Sequence, residues 1–164
     1  MQWPAEFGRR FLISIDTEEE FDWDGPFSRA DHTTISVPML QKFQEFVEKY
    51  GVKPVYFIDY SIVEDDTAVS FLRTVAEKQS ATIGVHLHPW VNPPFDEQIS
   101  VHNSFAGNLP KELEERKLQT LRDAIRDKIG VTPTSYRAGR YGIGPHTTEI
   151  LRRLGFVIDS SIRP

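Results

Sequence analysis

Three times along the chain a glycine separates the end of a helical stripe from the start of an apolar run: Tyr50-Gly51-Val52, Ile129-Gly130-Val131 and Leu154-Gly155-Phe156. Glycine adopts at little cost the left-handed conformation that closes a helix. A chain that repeats helix, glycine and strand carries each strand back in the same direction, which suits a mainly parallel sheet with helices packed outside it. The sequence is thereby restricted to α/β folds, and sites in such folds are built at the carboxyl ends of the strands.

The elements follow from periodicity. Arg10 to Ile15 predicts a first buried strand, followed by a loop over Pro26 to Thr34. Ser36-Val37-Pro38 opens a helix with Ser36 as N-cap and proline in the first turn, and Leu40, Phe43, Val47 and Tyr50 form its apolar stripe. Val55 to Ile58 is a second strand, and Asp65-Asp66 start a helix with the stripe Ala68, Leu72, Val75 and Ala76. Ala81 to Val85 is a third strand, and Val91 to Leu109 is irregular, a length more often functional than idle. A helix from Pro110 turns Leu118, Leu121, Ile125 and Ile129 inward. Thr134 to Arg137 is a fourth strand, Pro145 to Leu154 a helix, and Phe156 to Asp159 a fifth strand.

With 164 residues, 39% of them apolar, residues 1–164 make one domain with a core of ordinary size. A net charge of −5 argues against nucleic acid and against an anionic membrane as partners. No apolar run approaches membrane-spanning length. Arg9-Arg10 before Phe11-Leu12-Ile13 looks superficially like a signal peptide, but the run is short and Asp16 follows where a small-residue cleavage site belongs. The expected location is cytoplasmic. Without cysteine, disulfide and thiol chemistry are excluded.

The polar clusters fall after strands one, three and four. Six acidic residues crowd Asp16 to Asp24, and strand parity places Asp16 and Glu18 on one side. His86 and His88 flank Leu87, so in extended backbone both imidazoles present to one point. Two imidazoles and carboxylates suit a mononuclear metal with open positions, zinc foremost, with cobalt, nickel, manganese or iron tolerated. A carboxylate beside such a centre serves as general base, while Arg137 and Arg140 hold it ionised or stabilise an anionic intermediate. Trp23 and Trp90 flank these motifs and offer stacking surfaces for sugar rings.

In this order the motifs resemble the polysaccharide deacetylase family, the carbohydrate esterase family 4 or NodB-homology group. The resemblance rests on Asp16-x-Glu18, the histidine pair, Tyr136-Arg137-Ala138-Gly139-Arg140-Tyr141-Gly142, and Asp159-Ser160-Ser161. The sub-group resembled is the WalW-like one, through Asp16 to Trp23, His86-Leu87-His88-Pro89-Trp90 and the loop Asn103 to Pro110. The resemblance implies a distorted (β/α) barrel, TIM-like, and metal-dependent removal of acetyl groups from N- or O-acetylated carbohydrate. It implies Asp16 as catalytic base, Glu18, His86 and His88 as metal ligands, Arg137 orienting the base, and the Tyr141 backbone amide in the oxyanion hole.

The sequence departs from the family pattern in three places. Glu18 stands where a second aspartate is usual, which leaves Asp16 open as a ligand. The histidines are closer together than the family's pair, leaving His102 as a possible third. The leucine-x-histidine motif carrying the general acid is not found before Pro164, and His32 and His146 sit in no matching context. An incomplete barrel with impaired activity is the expectation, with an open edge that a homo-oligomer would cover. The competing readings are a non-catalytic carbohydrate-binding scaffold and an amidohydrolase-like metal hydrolase, although the latter normally carries His-x-His after its first strand.

Overall fold

The computed structural model describes residues 8–162. Strands and helices follow as β1 (Ser14–Thr17), α1 (Val37–Glu48), β2 (Val55–Ile58), α2 (Tyr60–Glu64), α3 (Asp66–Glu77), β3 (Thr82–Leu87), α4 (Lys111–Ile129), β4 (Ser135–Ala138), α5 (Thr147–Arg153) and β5 (Ile158–Asp159). The five strands form one parallel sheet in chain order. An order that never reverses sends every crossover the same way, so the helices collect on one face. Among the described residues β1 and β5 each pair on one side only, so the strands form a wall rather than a closed barrel.

The wall is rolled. Arg137 on β4 donates to the Ser14 hydroxyl on β1 at 2.8 Å and pairs with Asp16. On a flat sheet those strands would stand three spacings apart, about 14 Å, beyond the reach of one side chain. Period-two alternation then divides the residues. Ile15, Tyr56, Ile58, Ile83, Val85, Leu87, Tyr136 and Ala138 face the helices and pack with Ala68, Leu72 and Val75 of α3 and Leu118, Leu121, Ile125 and Ile129 of α4. Ser14, Asp16, Phe57, Gly84, His86, Ser135 and Arg137 occupy the alternate positions on the inner face. Gly84 is required there, because a Cβ would lie 2.6 Å from the Phe57 ring and 2.7 Å from the Ser135 hydroxyl. The Phe57 ring in turn lies 4.4 Å beneath the Arg137 guanidinium.

Several boundaries differ from those expected. β1 begins at Ser14 rather than Arg10, since pairing starts only where Ser14 meets Val55, and Phe11 and Leu12 are 80% and 69% exposed. β3 runs on through Leu87, which brings His86 inside the strand. β5 is two residues long; Phe156 is turned into the core while Val157 and Ile158 lie exposed at the edge. Ser36 makes no side-chain cap. The Glu20 carboxylate instead receives the amides of Ile35 and Ser36, both at 2.8 Å. In α1, Tyr50 is exposed and Gln44 takes a buried place, its Oε1 accepting from the Tyr56 hydroxyl at 2.8 Å. The short α2 was not foreseen; Asp59 caps it by accepting the Ile62 amide at 2.9 Å. No helix of the described residues is long and apolar enough to cross a membrane.

Candidate metal centre

His86 leaves β3 on the inner face and His88 follows two residues on, 3% and 1% exposed respectively. Glu18, just past β1, brings its Oε2 to 2.9 Å from His86 Nε2 and 3.3 Å from His88 Nε2. The partners of the opposite ring nitrogens settle which atoms hold protons. His86 Nδ1 lies 3.1 Å from the Arg137 carbonyl, which can only accept, so Nδ1 carries the hydrogen. His88 Nδ1 lies 2.9 and 3.1 Å from the two oxygens of Glu19, with the same consequence. Both Nε2 atoms therefore present lone pairs to a carboxylate oxygen. Three lone pairs converging on one point repel unless a cation lies among them. His88 Nε2 is buried without a hydrogen-bond partner, near enough to Glu18 but misaligned for a bond. Glu18, His86 and His88 thus fit a divalent cation in donor type, number and openness.

Behind His88 lies a second carboxylate pair that the sequence reading overlooked. Glu19 and Asp59 are both buried, and Asp59 Oδ2 accepts the Glu19 amide at 3.2 Å while Oδ1 caps α2. Burial and the neighbouring Glu19 charge push the Asp59 carboxyl well above its ordinary range. Burial also pushes Glu19 up, and both its oxygens face His88 Nδ1. With Asp59's oxygens committed to backbone amides, this group is closed to a second ion and instead orients the imidazole from behind. Trp90, 3% exposed, stacks on His88 with ring centroids 4.3 Å apart, so of the two tryptophans it serves packing. The turn after His88 is pinned by buried Lys117, whose Nζ donates to the carbonyls of Pro89 at 2.9 Å and Asn92 at 2.5 Å and meets Glu97. Asp59 stands at a strand's carboxyl end, where the rule that found the other site residues would have found it. Lys117 carried a weaker signal, a charge on the buried stripe of α4.

Across the cavity, Asp16 pairs with Arg137, which also donates to the Ser160 hydroxyl at 2.9 Å and the Ser160 carbonyl at 3.3 Å. Ser161 hydroxyl receives the Ala138 amide at 2.8 Å and donates to Asp159, tying the β4 and β5 ends together. Gly139 passes so close to His88 that a Cβ would stand 2.3 Å from its Cδ2. Arg140 and Tyr141 follow, both left-handed with φ of 55° and 57°. The cavity, about 450 Å³, is lined by Asp16, Glu18, Trp23, His86, His88, Phe105, Arg140 and Tyr141. Of the six residues to which the family resemblance gives roles, Asp16, Glu18, His86, His88 and Tyr141 line this cavity and Arg137 joins it through Asp16. His102 is exposed and contacts Asn108, and neither it nor His32 or His146 is among the cavity's walls. Trp23, 53% exposed, does line it.

No family model matches the chain, and no curated protein does. Solved structures share its architecture. It is similar to a structure named as a candidate polysaccharide deacetylase from Mycobacterium smegmatis, at 22% identity over 78% of this chain and 38% of that one, with a TM-score of 0.58. It is similar to the BpsB deacetylase domain of Bordetella bronchiseptica, at 17% identity over 76% and 59%, with a TM-score of 0.60. A third likeness is to a mutant, with restored enzymatic activity, of a CE4 family pseudoenzyme from Bacillus anthracis. That one has 14% identity over 90% of this chain and 43% of the other, with a TM-score of 0.62. The chain spans well under two thirds of each of these structures. At such identities the likeness establishes an α/β fold matching the CE4 polysaccharide deacetylase domains, and the fold alone.

Proposed function

We propose that the chain is a metal-dependent hydrolase domain that removes acetyl groups from N- or O-acetylated carbohydrate. The observation that carries this reading is the convergence of three lone-pair donors, Glu18, His86 and His88, beside the Asp16–Arg137 pair in one open cavity. Glu18, His86 and His88 would hold the ion, zinc being the best match to two imidazoles and a carboxylate. When bound, it supplies Lewis acidity toward the acetyl carbonyl and the attacking water. Asp16, paired with the guanidinium of Arg137, accepts the water's proton at its carboxylate. Ser14 and Ser160 fix Arg137, so the base keeps its direction. Tyr141 lines the same cavity, where its backbone amide serves the developing oxyanion. The motifs that suggest a WalW-like affinity are the same ones that build this cavity.

Metal content of the purified protein, before and after loading with zinc or cobalt, tests the reading. One equivalent in wild type, lost in both His86→Ala and His88→Ala, is expected. Acetate release from acetylated oligosaccharides is expected to vanish in Asp16→Asn with metal retained. Absence of metal after reconstitution would overturn the mechanism. The likeness to a pseudoenzyme favours a second reading, a carbohydrate-binding scaffold with the same ligands. Stoichiometric metal without turnover is its signature.

A further inference from the structure

Arg140 has no role in the chemistry just described, yet the fold forces it into the cavity. It takes a left-handed backbone conformation that disfavours a side chain and persists only where the surroundings impose it. Its guanidinium lies 4.2 Å from the Phe105 ring centroid and 5.3 Å from that of Phe27, and one nitrogen donates to the Ser104 hydroxyl at 2.6 Å. Ser104 is itself oriented, since it donates to the Val101 carbonyl at 2.7 Å. Among the described residues Arg140 enters no ion pair, whereas its neighbour Arg137 is occupied by Asp16. Of five N–H donors on a fixed planar fork, one has a hydrogen-bond partner among the described residues.

We infer that Arg140 makes this cavity a receptor for the carboxylate of an acidic acetylated saccharide, of the uronic-acid kind. The inference rests on the deacetylase reading for the reaction but not for the binding. A guanidinium fork matches a carboxylate edge to edge, and stacking on Phe105 holds its plane fixed beforehand. The local charge agrees. Arg137 offsets Asp16, whereas Arg140 lines the same cavity with no ion pair among the described residues, on a chain whose net charge is −5.

The test uses an O-acetylated oligogalacturonide and its methyl ester, in which each carboxylate charge is replaced by a neutral ester. Wild type is expected to show the lower KM for the acid form. Arg140→Gln is expected to raise that KM roughly tenfold to a hundredfold, the range for a charge-assisted hydrogen-bonded pair. The KM for the ester changes by much less, and Arg140→Lys recovers part of the loss because it keeps the charge without the fork. Calorimetry with the unacetylated oligogalacturonide reads the same contact without turnover. Binding that depends on Arg140 with no acetate released from either substrate would sink the hydrolase reading and leave the carboxylate site standing. Equal losses on acid and ester, or no preference in wild type, would overturn the inference. If Arg140→Gln does not fold, wild-type affinity for the acid form still decides, since it must fall as salt rises; affinity indifferent to salt refutes the contact.

Discussion

Glu19→Gln isolates the layer behind the metal centre. The Glu19 carboxylate has two oxygens, and both lie within 3.1 Å of His88 Nδ1. A glutamine of the same size offers one accepting oxygen and turns an amide toward a donor that needs an acceptor. His88 therefore loses either its charge-assisted bond or its fixed ring angle. Removing a partner of this kind typically costs 10- to 100-fold in metal affinity, about 1.4 to 2.7 kcal/mol. Glu19→Ala adds the cost of leaving the buried His88 N–H unpaired, about 1 to 3 kcal/mol. Zinc affinity measured by competition with a chromophoric chelator reads the first effect, and urea denaturation of the metal-free protein reads the second. Affinities of both variants within twofold of wild type would refute the claim that Glu19 orients His88.

Two further perturbations follow from buried charges away from the ligands. Lys117→Met leaves the Pro89 and Asn92 carbonyls and Glu97 without their cation; a loss of about 3 to 5 kcal/mol is expected in denaturant unfolding, and a loss below 1 would show that the turn after His88 is held by other contacts. Burial pushes the Glu114 carboxyl up, only partly offset by the Thr147 hydroxyl, so the folded chain holds an extra proton above the ordinary value of 4.5. The stability this contributes is complete below that value and lost as pH rises through the folded pKa. Glu114→Gln is therefore expected to gain on wild type between pH 4.5 and pH 8 in unfolding free energy, and an unchanged difference at the two pH values would refute it.

Much of this molecule is written in local sequence. Glycines at 51, 130 and 155 mark helix-to-strand junctions, and each has positive φ. The parity of His86 and His88 assigned them one side of a strand, and the stripe of Leu118, Leu121, Ile125 and Ile129 is buried as its spacing required. Period two and period 3.6 encode which face a residue takes, and those are properties of a few neighbouring dihedrals. They do not encode how far apart two strands' inner faces lie. That depends on the roll of the sheet, which brings Arg137 to Asp16 across 121 residues and Glu19 to His88 across 69. It also decided that Trp90 would pack against His88 while Trp23 stayed at the cavity mouth. Nor could Lys117 and Glu114, charges on a buried helix face, be recognised as satisfied until their partners were in place. The sequence determined the elements and their faces. Tertiary curvature alone set the distances across the sheet, because hydrogen-bonding reach is a few ångströms and only the rolled wall brings such distant segments within it.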